Sequence, residues 1–596
     1  MAQIAQLSPG VITTETNLTT VVPSVLTTAG AYAGNFTWGP VNKLTAIASE
    51  KILVNTFGAP DSNTYASFFT AASFLAYGNN LQIVRAANNG TYNASSNTSN
   101  VTQVQNEDKF QYTYLAAGAA NTYGPFMARY PGALGNSLVV SVIDAGSGFA
   151  NTNAMNTGWT YTIPNASGTS TTVAIGGYFS GLPGTSYKAN TVGAANDQIH
   201  VAVIDAGGSF TGQKGTVLET FSYLSKASDG VDANGQSNYY KQAIFNNSKF
   251  IYAVDPVSYS TTSTGSGAWG KPTANVSFQT LNSVQTVAMS GGTDAALLDG
   301  DVTTAQASFA DPSQVAISLL MTGPFTSSVV QLNAINIAAT RKDCVAFVSP
   351  PQSAVVNNQG GEQAIVLSWV GNLSSVTGGT QGSYGFADSG WKYLFDRYNN
   401  TYRWVPLNGD IAGLCVYTDS QNNPWWSPAG LNRGVIKNVI KLAWNPIQAA
   451  RDALYQAAVN PVVSLPGNGT VLFGDKTLQT QPSAFDRINV RRLFIVLEQA
   501  ISTAAKYSLF EFNDAFTQAQ FIALVTPFLT SVQAQRGIQS FQVVCDSTNN
   551  TPSVVNNNQF VGDIYIQPAR SINFIQLNFV AVGTGVSFST VTTTTA

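Results

Sequence analysis

"QVAISLLMTG" (Gln314–Gly323), "SSVVQLNAINIAATRK" (Ser327–Lys342) and "DCVAFVSPP" (Asp343–Pro351) read in turn as strand, helix and strand. The outer two are short apolar runs bounded by Gly and Pro, as expected of strands buried on both faces. The middle run is long enough for a helix and ends on Arg341 and Lys342, where cations suit the helix dipole. Two strands joined by a helix of this length must pair in parallel. The same texture stands far upstream. "TYASFFTAASFLAYG" (Thr64–Gly78) places Phe68, Ala71, Ala72 and Leu75 on one helical face with Gly78 as its C-cap, and "NLQIVRA" follows as a strand.

Between these stretches, from about Ala87 to about Gly291, the sequence is loop-rich, with clusters such as "NNGTYNASSNTSN" separating the strand candidates "NSLVVSVID" and "KFIYAVD". This predicts a β-rich module inserted into an α/β unit and facing the surface. From Leu431 onward the chain is more helical and more charged: nine of its 27 basic residues fall between Arg433 and Lys506. The spacing of Arg433, Lys437 and Lys441 predicts a basic stripe on a helix. In "FDRINVRRLFIVLEQAISTAAKY", Val490, Leu493, Phe494, Leu497 and Ile501 form an apolar face, with Arg487, Arg491 and Arg492 off it. Strands are predicted again after Gly537, in "FQVVCD", "DIYIQPA" and "INFIQLNF".

The 596-residue chain is unusual in charge: 10% Asp, Glu, Lys and Arg, against 44% hydrophobic residues. About 25% charge is typical. Such a surface has little electrostatic resistance to self-association. It suits a subunit covered by copies of itself, and equally an extracellular β-protein with a Ser/Thr/Asn surface. A net charge of −3 offers no field to recruit nucleic acid. The opening residues carry neither the basic nor the apolar region of a secretory signal, and no apolar run reaches 18 residues, so neither secretion nor a membrane span is predicted. Three scattered cysteines, Cys344, Cys415 and Cys545, read as buried free thiols.

Catalytic chemistry has few places to stand. The one histidine, His200, lies in the strand pattern "DQIHVAVID", so a His-dependent nucleophile has one possible base and a two-His metal site is impossible. "GSGAWGKP" (Gly265–Pro272) imitates a phosphate loop, but Pro272 stands where a Ser or Thr must hold magnesium and no apolar strand leads in. No enzyme activity, cofactor or metal is predicted.

The termini raise a different possibility. In "INFIQLNF", Ile575, Leu577 and Phe579 alternate with Gln576 and Asn578, a strand with one dry face and almost no charge. "GVITTETNLTTVV" (Gly10–Val22) is a β-branched arm with one charge, Glu15. Uncharged apolar strands near free ends invite pairing with another chain.

An ordered set of strings carries a resemblance: "LSPGV" (Leu7–Val11), "LVNTFGAP" (Leu53–Pro60), "FLAYGNNLQIVRA" (Phe74–Ala86), "RYNNTYRWVPLNGDIAGLC" (Arg397–Cys415), "VIKLAWNPIQAARDALYQAAVNPV" (Val439–Val462), "PSAFDRINVRRLF" (Pro482–Phe494) and the long run Cys545–Ala581. Together they resemble the contractile tail sheath proteins of T-even-type myoviruses, over roughly residues 7–86 and 290–581. The resemblance implies an α+β, α/β multidomain subunit whose core is built from both chain ends, with an inserted β-rich outer module. Residues 1–23 plus 447–596 would form an inner, tube-facing domain, 24–86 plus 291–446 a middle α/β domain, and 87–290 the outer one. Subunits would stack as hexameric rings around an inner tube protein, between baseplate and tail terminator proteins, in a virion assembled in the host cytoplasm; contraction would drive the tube through the host envelope. The implied inter-subunit arms are Val11, Ile12, Thr14, Leu18, Val21 and Val22 at one end and Ile572, Phe574, Ile575, Leu577 and Phe579 at the other. Arg433, Lys437, Lys441, Arg487, Arg491 and Arg492 are the tube-facing candidates. A sheath of a non-viral contractile injection system and an extracellular adhesin or surface-layer protein are the competing readings.

Overall fold

The computed structural model describes residues 25–97, 100–115, 123–163, 170–232, 234–257, 269–377, 379–573 and 575–577. The predicted strand–helix–strand unit is present: Leu319–Met321 pairs in parallel with Val345–Val348 across the helix Ser328–Arg341. The Ser327 side chain accepts the Val329 N–H at the start of that helix, and Lys342 closes it with φ +62°. Arg341 does more than suit the dipole. Its buried guanidinium forks onto Asp343 at 2.7 and 2.8 Å and donates to the carbonyls of Phe309 and Val315, tying helix, loop and next strand together.

These strands sit in a seven-stranded sheet ordered Val459–Asn460, Gly385–Asp388, Val345–Val348, Leu319–Met321, Gly30–Gly34, Leu81–Arg85 and Thr45–Ile47. Every pair is parallel except the last, where Thr45–Ile47 runs antiparallel to Leu81–Arg85. The sheet is thus drawn from two parts of the chain, 30–85 and 319–460. The helix Tyr65–Leu75 is buried on all sides from Ser67 to Phe74 and ends at Ala76, two residues before the expected Gly78. It packs against the helix Asn408–Gln421, where a Cβ added at Gly409 would stand 2.4 Å from the Thr70 carbonyl oxygen.

The intervening stretch is β-rich as expected. Its four-stranded antiparallel sheet runs Gln285–Ala288, Leu138–Asp144, Gln198–Asp205, Thr216–Ser225, with smaller pairs Phe126–Ala128/Ile251–Ala253 and Thr160–Ile163/Thr171–Ala174. It has its own core around Leu138, Val140, Val201 and Tyr240. Inside it Lys226 is wholly buried: it is 2.7 Å from Asp144 and donates to the carbonyls of Asn196 and Gln279.

Two expectations change. No helix carries Arg433, Lys437 and Lys441; Gly430 (φ +93°) and Asn438 (φ +53°) take left-handed conformations, Val435 bridges to Val471, and Lys441–Leu442 pairs as a strand with Lys392 and Tyr393. Gly434 is wedged against Gly430 and the Leu472 carbonyl, leaving no room for a helical turn of side chains. The second change concerns residues 447–502: Leu454, Val459, Val462, Leu472, Leu478, Ile488 and Ile495 join the core of the seven-stranded sheet rather than the C-terminal segment.

Among the described residues, 425–427, 503–573 and 575–577 fall in a separate compact unit. Its described part is the helix Ala515–Ala534 laid on a two-stranded hairpin, Ile538–Val544 with Asp563–Pro568. Phe521, Val525, Leu529 and Val532 make the buried stripe of that helix. The helix carries no charged residue and is long and apolar enough to cross a membrane by composition, which a search for unbroken apolar runs misses. Its buried stripe packs on the hairpin.

Replacing Gly409 by Ala should force the Asn408–Gln421 and Tyr65–Leu75 helices apart, costing about 1–3 kcal/mol. A thermal melt showing a lower Tm checks this; an unchanged Tm would contradict the close approach.

Candidate functional site

The expected absence of catalytic machinery can be tested residue by residue. His200 is buried in the strand Gln198–Asp205, its ring stacked on Phe179 at 4.6 Å. The Tyr223 N–H donates to Nδ1 at 2.9 Å, so Nε2 carries the proton and donates to the Gly181 carbonyl at 2.8 Å. Both nitrogens are spent on backbone. Burial holds the imidazole below its ordinary pKa. The three cysteines are buried and unpaired by disulfide; burial pushes Cys415 up to about 12 and Cys344 still higher. Among the described residues no group of three or more His, Cys, Asp or Glu could hold a metal. Trp269–Pro272, the described end of the apparent phosphate loop, leads into no helix.

The basic residues separate into two kinds. Arg492 is buried and forks onto Asp419 at 2.6 and 2.9 Å; burial pulls its pKa down, and Asp419 more than offsets this. Arg491 is also buried, its guanidinium 3.9 Å from the Phe485 ring centroid and 4.3 Å from that of Tyr384. Neither side chain is available to a tube, and this corrects the expectation for both. Their helix, Ile488–Ala505, is buried on more of its circumference than the apolar stripe predicts, because Ile495, Val496 and Ala500 are covered too. Arg487 lies just before it, paired with Asp475 at 3.2 Å and bonded to Tyr455. Arg433 is half-buried. Lys437 and Lys441 are exposed: Lys437 donates to the Ala76 carbonyl at 2.8 Å and lies over the Tyr77 ring, and Lys441 lies over Tyr393. These cations sit on aromatic faces, not in a stripe.

The second candidate surface is the C-terminal hairpin. Its two strands pair only with each other, so each keeps one edge that no described strand occupies. Among the described residues beyond Pro568 there is no further strand: Ile572, Ile575 and Leu577 stand 82, 76 and 70% exposed. The expected third strand is therefore absent within the described part of the chain. Phe574 and Phe579, and Val11, Ile12, Thr14, Leu18, Val21 and Val22, lie outside the described residues.

The chain matches the model of the phage tail sheath protein central domain over residues 316–478 and that of the phage tail sheath C-terminal domain over 480–581. It is 35% identical to the tail sheath protein of Vibrio phage KVP40 and 34% identical to that of Enterobacteria phage T4, in each case over 98% of this chain and 99% of the relative. The crystal structure of the sheath tail protein Lin1278 from Listeria innocua shares the fold at a TM-score of 0.50 and 12% identity, over 91% of this chain and 92% of that one. The chain belongs to the phage tail sheath family. It is a structural subunit of a contractile tail sheath, a component of the virion and not an enzyme.

Two outcomes follow. Because folding lowers the His200 pKa, the native state stays neutral while the unfolded chain takes up a proton below about pH 6.5. The contribution is complete above that value and is lost as the pH falls through it, by at most ~1.4 kcal/mol per unit. His200→Gln keeps both hydrogen bonds, so between pH 7.5 and 5.0 the wild type should lose more Tm than the variant; equal losses would contradict the assignment. Asp419→Ala should strand a buried guanidinium and cost about 3–5 kcal/mol in a denaturant melt, whereas a loss near zero would mean Arg492 reaches solvent.

Proposed function

We propose that the chain polymerises as stacked hexameric rings around an inner tube protein, contacts baseplate and tail terminator proteins at the ends of the sheath, and contracts to drive the tube through the host envelope. On this reading it assembles in the host cytoplasm, binds no nucleic acid and enters no membrane. The β-rich stretch 87–290 points outward from a core built by both chain ends.

One observation carries the mechanism: among the described residues, neither outer edge of the C-terminal hairpin is paired, and the described tail after Pro568 forms no strand. A two-stranded hairpin is marginal alone, and three or more strands are needed for independent stability. Strands from adjacent copies supply them by addition to the edge, from the Val11–Val22 arm and from the segment that holds Ile572, Phe574, Ile575, Leu577 and Phe579. Covering Ile572, Ile575 and Leu577 would contribute roughly 1.5–3 kcal/mol each, and each new backbone hydrogen bond ~0.5–1.5 kcal/mol net. That holds two subunits together while their other contacts exchange. The tube contact is a smaller part of the proposal. It rests on exposed Lys437 and Lys441, with half-buried Arg433 beside them in sequence and half-buried Arg487 further along the chain; Arg491 and Arg492 have no share in it.

A chain ending at Ser571 should fold and stay soluble, eluting as a small species and forming no sheath under negative stain. Normal polymerisation of that truncation would defeat the shared-strand mechanism.

A further inference from the structure

Lys437 and Lys441 are both exposed, but the fold holds them in different ways. At Lys437 it is the peptide that is held. Its N–H donates to the Tyr77 hydroxyl oxygen at 2.8 Å, and its carbonyl accepts from Lys392 Nζ at 3.2 Å. Lys392 is buried and paired with buried Asp410 at 2.8 Å. The same Asp410 oxygen receives the Tyr77 hydroxyl in a longer contact of 3.4 Å. Asp410, Lys392, the Lys437 peptide and Tyr77 therefore close a ring of polar contacts. Tyr77 is wedged in place: a Cβ added at Gly413 would stand 2.4 Å from its Cδ2. The Lys437 side chain folds back over the Tyr77 ring at 4.6 Å and donates to the Ala76 carbonyl. That carbonyl closes the helix Tyr65–Leu75, an end where a cation is favoured.

At Lys441 it is the backbone that is routine and the ammonium that stands out. Lys441 lies opposite Tyr393 as one strand residue beside another. Its Nζ is 5.0 Å from the Tyr393 ring centroid and 5.6 Å from that of Trp404. Among the described residues it forms no ion pair. Tyr402 stacks on Tyr393 at 5.6 Å, and Phe395 lies 5.2 Å from Tyr402; both outer rings are exposed. The cation thus stands on an aromatic face of the sheet 391–396, 401–406 and 441–442, and nothing described covers that face.

We infer that Lys441 is the cation that meets a carboxylate of the tube, that the rings beside it receive apolar side chains around that carboxylate, and that Lys437, Tyr77, Lys392 and Asp410 are positioning residues that fix where Lys441 stands. The inference rests on the reading that this segment touches the inner tube protein, and it assigns the two lysines separate tasks. Charge complementarity selects the occupant: a cation with no anion of its own chain, set on π faces, fits a carboxylate flanked by apolar groups. The coupling runs through the backbone. Asn438, at φ +53°, turns the chain directly after Lys437, and the Ile440 N–H then reaches the Tyr393 carbonyl at 2.9 Å. The seat of the Lys437 peptide therefore sets the register in which Lys441 meets Tyr393.

The test assembles full-length chains on purified inner tubes at several salt concentrations and reads the protein concentration for half-maximal assembly. Lys441→Gln should raise that concentration about tenfold and flatten its salt dependence. Lys437→Gln keeps its peptide in the ring and should raise it far less; equal rises would overturn the division of tasks. Tyr77→Phe keeps the aromatic ring over Gly413 and removes the hydroxyl alone. It should speed hydrogen exchange at the Lys437 amide, and unchanged exchange would overturn the positioning role. It should also raise the half-maximal concentration in the wild-type background and add little when Lys441→Gln is already present, the non-additivity expected of coupled residues. Full additivity would overturn the positioning role and leave the tube contact standing. Wild-type assembly by Lys441→Gln would remove the tube contact itself, and the inference with it.

Discussion

A β-strand edge left without hydrogen-bond partners is the constraint around which this subunit is organised. Among the described residues, each strand of the C-terminal hairpin pairs on one side only. Water can satisfy such an edge in a free subunit, but another strand satisfies it better and brings apolar side chains along. The tail that follows has the chemistry of a strand and no described strand beside it. On the proposed function, the two deficits meet between copies. An interface of backbone hydrogen bonds is indifferent to which side chains surround it, so it can persist while the rest of a lattice changes its contacts.

The larger α/β unit has the opposite character. Its scarce charges are used internally. Lys392 and Asp410 pair at 2.8 Å, both nearly inaccessible, Arg492 forks onto Asp419, and Arg341 onto Asp343. Buried pairs contribute little net stability against apolar replacements, but breaking one is costly. They therefore favour one arrangement of the unit over its alternatives. Burial also pushes the Asp388 carboxyl up to about 8, against the lowering effect of the Ser349 hydroxyl and the Gly390 N–H that donate to it. What remains outside is a surface of Asn, Ser, Thr and Gln with few fixed charges. Contraction has to exchange one set of subunit contacts for another, and strong exposed ion pairs would resist that exchange.

The main sheet was legible wherever local pattern and burial agree. The two strands in Gln314–Pro351 are short apolar runs bounded by Gly and Pro, and the structure pairs them in parallel across the helix between them, as its length demands. The all-round burial of Tyr65–Leu75 was not legible, because its covering helix, Asn408–Gln421, is hidden behind Gly409 and Gly413, residues that read as breakers but serve close packing against Thr70 and Tyr77. The basic stripe failed for a related reason: the i, i+4, i+8 spacing of Arg433, Lys437 and Lys441 looks helical until the left-handed Gly430 and Asn438 are taken into account. Arg491 and Arg492 seemed to flank the apolar face of their helix; only the fold reveals Asp419, Phe485 and Tyr384 waiting for them. Exposure is a property of the folded chain that periodicity does not report.

A cryo-EM map of the assembled sheath, traced through both termini, bears most directly on this account. It should show the backbone of residues 571–579 leaving its own subunit and running as a strand along the Ile538–Val544 or Asp563–Pro568 edge of an adjacent one. Termini folded back on their own hairpin, with no contact to a neighbouring copy, would contradict it.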